Sequence, residues 1–459
     1  MTYGGPYNDG AHTIRETTGG GYIVAGYTQS YGAGGTDLWL IRLDTDGNEV
    51  WNATYGGLGN ERGGGYGDTV DVRQTTDNGF IMVGTTGSFG VDAETVWLVK
   101  TDADGLEQWN QTFGTRGNSG DAVLQTSDDG YIIAATTNEF GKQNESDVWL
   151  IKTDAYGTMV WDATFGGDDY ERARAVLQTL DGGYLVLSDT MSFGGIDVWL
   201  IKTDAQGNML WNTTIGGAAY DFCYAVAPTA DSGYILTGRT ASYGDFRGGI
   251  WLVKIDAMGA TEWIQAEELG PYSSQGHSVQ QTSDGGFIVT GDDGAGAVGD
   301  MLLIKTDATG IKEWDLRFGG QTNDSGRCVL QISDGSFIVA GYTDSFGAGE
   351  RDAWIVKQAG PPSIYIEISG GFGLTVTARN LAGEQLSNLP WSIDLSMVNG
   401  SLLFGATSSG TIDALPADEE MDIRVIPFGL GIAEVRVMVA DASLTTYAGI
   451  LGPFTYVDG

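Results

Sequence analysis

Short apolar runs recur along most of the chain, each closed by glycine and aspartate. Two stretches nearly superimpose: DVWLIKTDAYGTMVWDATFGG from Asp147 to Gly167 and DVWLIKTDAQGNMLWNTTIGG from Asp197 to Gly217. Related copies run over Asp37–Gly57, Thr95–Thr115, Gly249–Gly270 and Asp300–Gly320, with a truncated copy at Asp352–Lys357. Before each stands a glycine-aromatic phrase, such as GGYIVAGYT from Gly20 and GSFIVAGYT from Gly335. Each unit reads as four strands. Strand a is of the AVLQT type, b is GYIVAGYT, c is DVWLIK and d is the W-N-x-T segment. Val, Ile, Tyr, Trp and Thr fill the runs, and Asp-Gly and Gly-Gly turns divide them. Strand c is apolar on both faces, so each small sheet is expected to be covered on both sides.

The spacing fixes the unit. Thr54 to Thr112 is 58 residues, Thr112 to Thr164 is 52 and Thr164 to Thr214 is 50. Four-stranded sheets at this period predict the blades of a β-propeller. Strands a to c occur seven times, but d follows only six of them. The missing piece stands at the other end of the chain, where Thr2-Tyr3-Gly4-Gly5 matches Thr54-Tyr55-Gly56-Gly57. The expectation is an all-β, seven-bladed propeller over residues 1–358, closed by the N-terminal strand, which covers the open edge of the last strand c. The Trp of that strand would fall before Met1, which points to a precursor extending upstream into a removed signal peptide.

The phrases D-G-G-[YF]-[IL]-[VL]-x-G, D-x-W-L-x-[KR] and F-G-G resemble the repeats of secreted bacterial and archaeal propellers of the delta-sixty and Kelch-like kind. This resemblance implies a fold rather than an activity.

Ala359-Gly-Pro-Pro-Ser363 reads as a short stiff linker. Beyond it, residues 364–459 alternate apolar and polar: YIEI from Tyr365, LTVTARN from Leu374, WSIDL from Trp391, DIRVI from Asp422 and AEVRVMV from Ala433. About seven strands in this span predict an immunoglobulin-like sandwich. The phrase TVTARN…LSNLPWSIDLS…SGTIDALPADEEMDI resembles adhesion-related modules of microbial surface proteins, which implies a spacer or docking unit.

Charge narrows the partners. Sixty Asp and Glu against 23 Lys and Arg give a net charge of −37, which repels phosphate backbones and excludes nucleic acid. No run approaches the ~18 apolar residues of a membrane-spanning helix. Two cysteines, Cys223 and Cys328, are too few for a disulfide framework.

Several columns carry candidate chemistry. On strand a, one position reads His12, Val70, Asp121, Arg174, Tyr224, His277, Arg327. A variable column on the innermost strand fits a ligand site at the channel mouth. The loops after strand b repeat T-x-S-[FY]-G, and their rings Tyr31, Phe89, Phe140, Phe193, Tyr243 and Phe346 either stack on sugars or pack under the loops. Twelve of 13 tryptophans repeat on strands c and d, as expected of packing between blades. A basic column from Arg42 to Lys357 ends strand c. An acid follows two residues later in six units, and ion pairs within the blade or turn hydrogen bonds are expected. Asp44 with Asp46, and Asp102 with Asp104, begin like calcium loops but lack the later ligands; calcium is the one cofactor candidate. The phrase D-A-x-G-x-x-x-W is similar to structural turns of quinoprotein propellers and sialidases, without their catalytic sets. Sequons at Asn52, Asn110, Asn144, Asn212, Asn323 and Asn399 permit glycosylation.

No zinc motif, nucleophile elbow or P-loop is present. The expectation is therefore a non-enzymatic extracellular or cell-surface module. Its disc would bind a surface glycan or protein, or self-associate through the blade-seven edge or the sandwich. The alternatives are a subunit of a surface layer or filament, and a carbohydrate-active enzyme with a carboxylate pair at the channel mouth.

Overall fold

The computed structural model describes the chain except for residues 63–69, 91–93, 140–144, 193–194, 245–247, 268–273, 295–298, 359–363, 381–385, 405–406, 417–418, 440–441 and 458–459. It divides into two compact units, Met1–Lys357 and Gln358–Gly459.

Among the described residues, the first unit is built from seven antiparallel sheets. The sheet of Glu171–Gln178, Tyr184–Thr190, Asp197–Thr203 and Met209–Ile215 is representative: four strands hydrogen-bonded in chain order. In the second sheet the inner strand is described in two pieces, Glu61–Arg62 and Asp71–Gln74. The last sheet takes its fourth strand from Thr2–Tyr3. Thr2 pairs with Trp354 and Tyr3 with Ala353, the register in which Thr54 and Tyr55 pair with Trp39 and Leu38. Met1 extends this ladder, since its ammonium donates to Ile355 O at 2.7 Å and Ile355 N donates back to Met1 O at 2.9 Å.

The turn between strands a and b explains its Asp-Gly signature. Its third residue has positive φ, at Gly182 (80°), Gly285 (89°) and Asn78 (66°), where glycine and Asn carry the least penalty. The Asp before it accepts N–H two residues on, as Asp181 Oδ1 does from Gly183 at 3.0 Å.

Apolar burial joins neighbouring sheets. Trp97, 1% exposed, packs with Ile23, Leu38 and Tyr55 of the sheet before it. Four further cores join the second sheet to the third and so on to the sixth. Trp314 meets Phe337 at 5.8 Å between the sixth and seventh sheets. A last core combines Ile14, Trp39 and Ile41 with Ile338, Ala340 and Ala353, so the final sheet packs on the first.

The basic column forms ion pairs within its own sheets, with the a–b turn as partner. Lys202 Nζ meets Asp181 at 2.9 Å, in the a–b turn of its own sheet, and Lys100, Lys152, Lys254 and Lys305 repeat this with Asp77, Asp128, Asp231 and Asp284. The acids two residues after these lysines cap their own turns instead. The antiparallel pairing of strands b and c sets the end of c beside the a–b turn, which fixes the partner.

The second unit contains a three-stranded sheet (Ile364–Ser369, Leu374–Asn380, Glu420–Val425) and a six-stranded sheet whose longest member is Leu386–Phe404. Leu374, Val376 and Ala378 of one share a core with Ile393, Val435 and Val437 of the other. The linker at 359–363 lies outside the described residues.

Candidate functional site at the sheet axis

Strands a of successive sheets touch one another, so their side chains gather along one axis. In six sheets the pairing of a with b slips by one residue. The slips fall between Ala11/Thr13, Gly120/Ala122, Ala173/Ala175, Cys223/Ala225, Gly276/Ser278 and Gly326/Cys328. The residue left over at each bulge is His12, Asp121, Arg174, Tyr224, His277 or Arg327. A bulge leaves that residue without an opposite number and re-aims its side chain. The variable column of the sequence is thus a ring of bulges. Val70, from the remaining sheet, donates its N–H to His12 Nδ1 at 3.4 Å.

Consecutive members touch. Arg174 lies 5.2 Å from the ring centre of Tyr224. Tyr224 and His277 rings are 5.3 Å apart, and the Tyr224 hydroxyl donates to Gln275 at 2.9 Å. Arg327 approaches His277 at 3.4 Å. Partners come from the matching position of strand b. Asp189 accepts from Arg174 Nε at 2.7 Å, Asp292 sits 2.8 Å from His277 Nε2, and Thr136 donates to Asp121 at 3.0 Å. Asp292 also accepts from Ser325 at 3.1 Å.

Burial and neighbouring cations set the protonation states. Burial, with Arg327, Arg351 and His277 adding, pushes His12 down to about 3. His277 is lowered by burial and Arg327, against the pull of Asp292. Burial raises Asp121 to about 6 even though Arg172 and Arg174 oppose it.

Arg327, like Arg239 of the strand-b column, has a buried Nε without an acceptor. Its contacts are neutral: His277, and the Tyr342 hydroxyl at 3.4 Å. Arg351 lies 3.7 Å from the centre of the same Tyr342 ring. Among the described residues no carboxylate reaches Arg327 within ion-pair distance, and its buried Nε has no acceptor. Its guanidinium is therefore partly buried without a direct carboxylate partner, the Asp292 carboxylate being bonded to the His277 that it touches.

The other candidates lie elsewhere. Tyr31, Phe89, Tyr243 and Phe346 each pack on the strand-c tryptophan of their own sheet, at 5.2–5.8 Å between ring centres. Tyr31, Phe89 and Phe346 remain 39–47% exposed. Tyr31 and Asn52 also line an open cleft of about 680 Å³ with Thr2, Tyr3 and Trp39, away from the axial ring. Asp44 Oδ1 accepts N–H from Asp46 at 2.9 Å and Asn48 at 2.8 Å, and Asp102 does the same for Asp104 and Leu106. Their carboxylates cap turns, while Asp46 and Asp104 are exposed. Asn52, Asn110 and Asn212 accept the indole N–H of Trp39, Trp97 and Trp199, and Asn323 donates to Tyr342 at 3.0 Å. Phe140, Phe193 and Asn144 lie outside the described residues, as does the side chain of Asn399.

Sequence reasoning missed the strand-b partners. Tyr27, Thr85, Thr136, Asp189, Arg239, Asp292 and Tyr342 share one position, as variable as the strand-a column, and stacking the repeats would have found them.

No family model matches the chain, and no curated protein matches it. Among solved structures, a puromycin hydrolase mutant complexed with PGG is similar at 11% identity and a TM-score of 0.50, over 82% of this chain and 60% of that one. An ulvan lyase is similar at 10% identity and 0.49, over 78% and 97%. Sqt1 from Chaetomium thermophilum, bound to the N-terminus of the ribosomal protein L10, is similar at 13% and 0.43, over 82% and 96%. The chain spans about three fifths of the puromycin hydrolase length. These neighbours are β-propeller proteins, and the repeated four-stranded antiparallel sheets are consistent with that fold.

Proposed function

We propose that this chain is a non-enzymatic extracellular or cell-surface binding protein. Its first unit is a seven-bladed β-propeller, closed by its own first strand, whose axial ring takes a carboxylate-bearing surface glycan or protein. Its second unit is an immunoglobulin-like sandwich serving as spacer or docking module. The observation that carries the reading is Arg327, a guanidinium with only neutral partners, in contact with His277 and Tyr342. A carboxylate docked there would gain charge-assisted hydrogen bonds, and the aromatic rings would flank a sugar. The axial acids support binding over turnover, because Arg174 holds Asp189, and His277 with Ser325 holds Asp292.

Calorimetry with uronate-containing and neutral oligosaccharides tests this. Acidic ligands are expected to bind, and Arg327→Met to weaken them by roughly 10–100-fold, the worth of a charged hydrogen bond. Equal binding of neutral sugars, or an unaffected Arg327→Met variant, would overturn the reading. The runner-up is a carbohydrate-active enzyme. It is favoured by Asp121, whose raised value of about 6 suits a general acid. Turnover of an acidic polysaccharide that Asp121→Asn abolishes would establish it instead.

A further inference from the structure

Between consecutive sheets the chain turns through Gly-Gly, and there pairs of buried carboxylates meet. Asp37 opens a strand c, and Glu61 opens the next sheet. They are 1% and 0% exposed. A Cβ built on Gly56 would lie 1.7 Å from Asp37 Oδ1 and 2.4 Å from Glu61 Oε2, so the two oxygens face each other at close range. Three of the four oxygens have donors. Asp37 Oδ2 accepts N–H from Ala33 at 2.6 Å, Glu61 Oε1 accepts from Thr86 at 2.9 Å, and Glu61 Oε2, itself facing Asp37, accepts from Gly57 at 3.0 Å. Asp37 Oδ1 is buried and has no donor.

The arrangement recurs. Asp352 Oδ1 and Asp9 Oδ2 flank Gly4 at 1.9 and 2.9 Å from its built Cβ, and Asp300 Oδ1 and Asp324 Oδ2 flank Gly319 at the same two distances. Asp147 Oδ1 and Glu171 Oε2 flank Gly166 at 1.7 and 3.1 Å; at the fifth junction Asp197 Oδ1 lies 1.9 Å from the Cβ built on Gly216 and Asp221 Oδ2 accepts N–H from Gly217 at 2.8 Å. Asp352 Oδ1 and Asp197 Oδ1 also have no donor. Like charges this close in a buried site repel strongly.

The repeat supplies its own control. At the two other junctions both acids are replaced together, by Thr95 with Asn118 and by Gly249 with Ser274. Acids kept only as turn acceptors would be lost singly, since losing one relieves the repulsion. At the Asn118 junction the amide nitrogen donates to Glu139, which stands where other junctions have a serine donating to the acid, as Ser192 does to Glu171 at 2.6 Å. A shared proton or a bound cation therefore belongs between the paired acids.

We propose that each of the five junctions binds one divalent cation of the calcium class between its two carboxylates. The donors are all oxygens, and no histidine or cysteine joins them, which selects a hard ion. Among the described residues no third acid, histidine or cysteine side chain completes a cluster, so the other ligands would be main-chain carbonyls and water. The sites are distinct from the exposed Asp44 and Asp102 turns.

The test uses the intact chain, chelated and then titrated with calcium near pH 7, up to about 5 mM to cover the weak range of extracellular sites. Equilibrium dialysis is expected to reach about five ions per chain, with a rise of several degrees in the thermal midpoint. A variant carrying Asp37→Thr and Glu61→Asn takes the two side chains that the chain itself uses at Thr95 and Asn118. It is expected to fold and to bind one ion fewer. No binding at about 5 mM, or an unchanged stoichiometry in that variant, would overturn the proposal. Stabilisation on mild acidification with no response to calcium would also overturn it, in favour of a proton shared by each pair.

Discussion

Replacing Trp97 by alanine tests whether the tryptophan column holds neighbouring sheets together. Its ring is 1% exposed and packs with Ile23, Leu38 and Tyr55 across the interface. The indole N–H donates to Asn110 at 3.1 Å, and Asn110 is exposed, so water replaces that bond on truncation. The cost is therefore the lost burial plus a cavity, ~3–5 kcal/mol for a fully buried Trp. Against the ~5–15 kcal/mol of a typical domain that is a large loss. Trp354 supplies the comparison. Its sheet has only Thr2–Tyr3 as fourth strand, and its ring is less buried than those of the other strand-c tryptophans. Trp354→Ala is expected to cost less, in proportion to the smaller burial. Urea unfolding of the two variants, followed by far-ultraviolet circular dichroism, measures both. Equal losses, or a Trp97→Ala variant within ~1 kcal/mol of the parent, would refute the packing account.

Three further outcomes follow from named contacts. His12 is held near 3 in the folded protein against 6.5 in the unfolded chain, so between those values the unfolded state binds the extra proton and stability falls as pH falls. His12→Gln should therefore lose stability more slowly with acidification from about pH 6.5 to 4, by roughly 1.4 kcal/mol per pH unit, and parallel profiles would count against the assignment. Lys202→Met keeps the buried stem and leaves Asp181, 57% exposed, to water. Stability should drop by no more than ~1 kcal/mol, while the Asp181 carboxyl, now near 2 through Thr179 and Lys202, moves up in an NMR titration; an unmoved carboxyl would contradict the pairing. Removing residues 1–5 uncovers the edge of Asp352–Gln358, and light scattering should then show self-association through the bare edge; a monomer as stable as the parent would argue that the strand covers nothing.

Much of the fold is legible in the repeat. The four strand roles, the tryptophan columns and the match of Thr2-Tyr3 to Thr54-Tyr55 all follow from local pattern, because each sheet is built from residues close in sequence. Contacts that depend on pairing were not legible. Lys202 meets Asp181 rather than Asp204, since pairing of strands b and c brings distant turns together. The junction acids Asp37 and Glu61 stand 24 residues apart and look like turn formers when read singly. The strand-a column was visible as variation, but its bulges were not, because a one-residue slip leaves no mark on composition. In the second unit, Asn399-Gly400 lies inside the strand Leu386–Phe404, whose register shifts at Met397/Asn399 and Leu402/Phe404 leave no mark on composition either.

The most direct measurement places cysteines at Tyr3 and Ala353, which face each other across the closing strand pair. Directly opposed antiparallel residues lie ~4.5–5.5 Å apart at Cα, within disulfide reach. Oxidation is predicted to consume both new thiols in a species that stays monomeric on a non-reducing gel. New thiols that stay free, or disulfide-linked dimers and higher oligomers, would contradict closure of the ring by its own first strand.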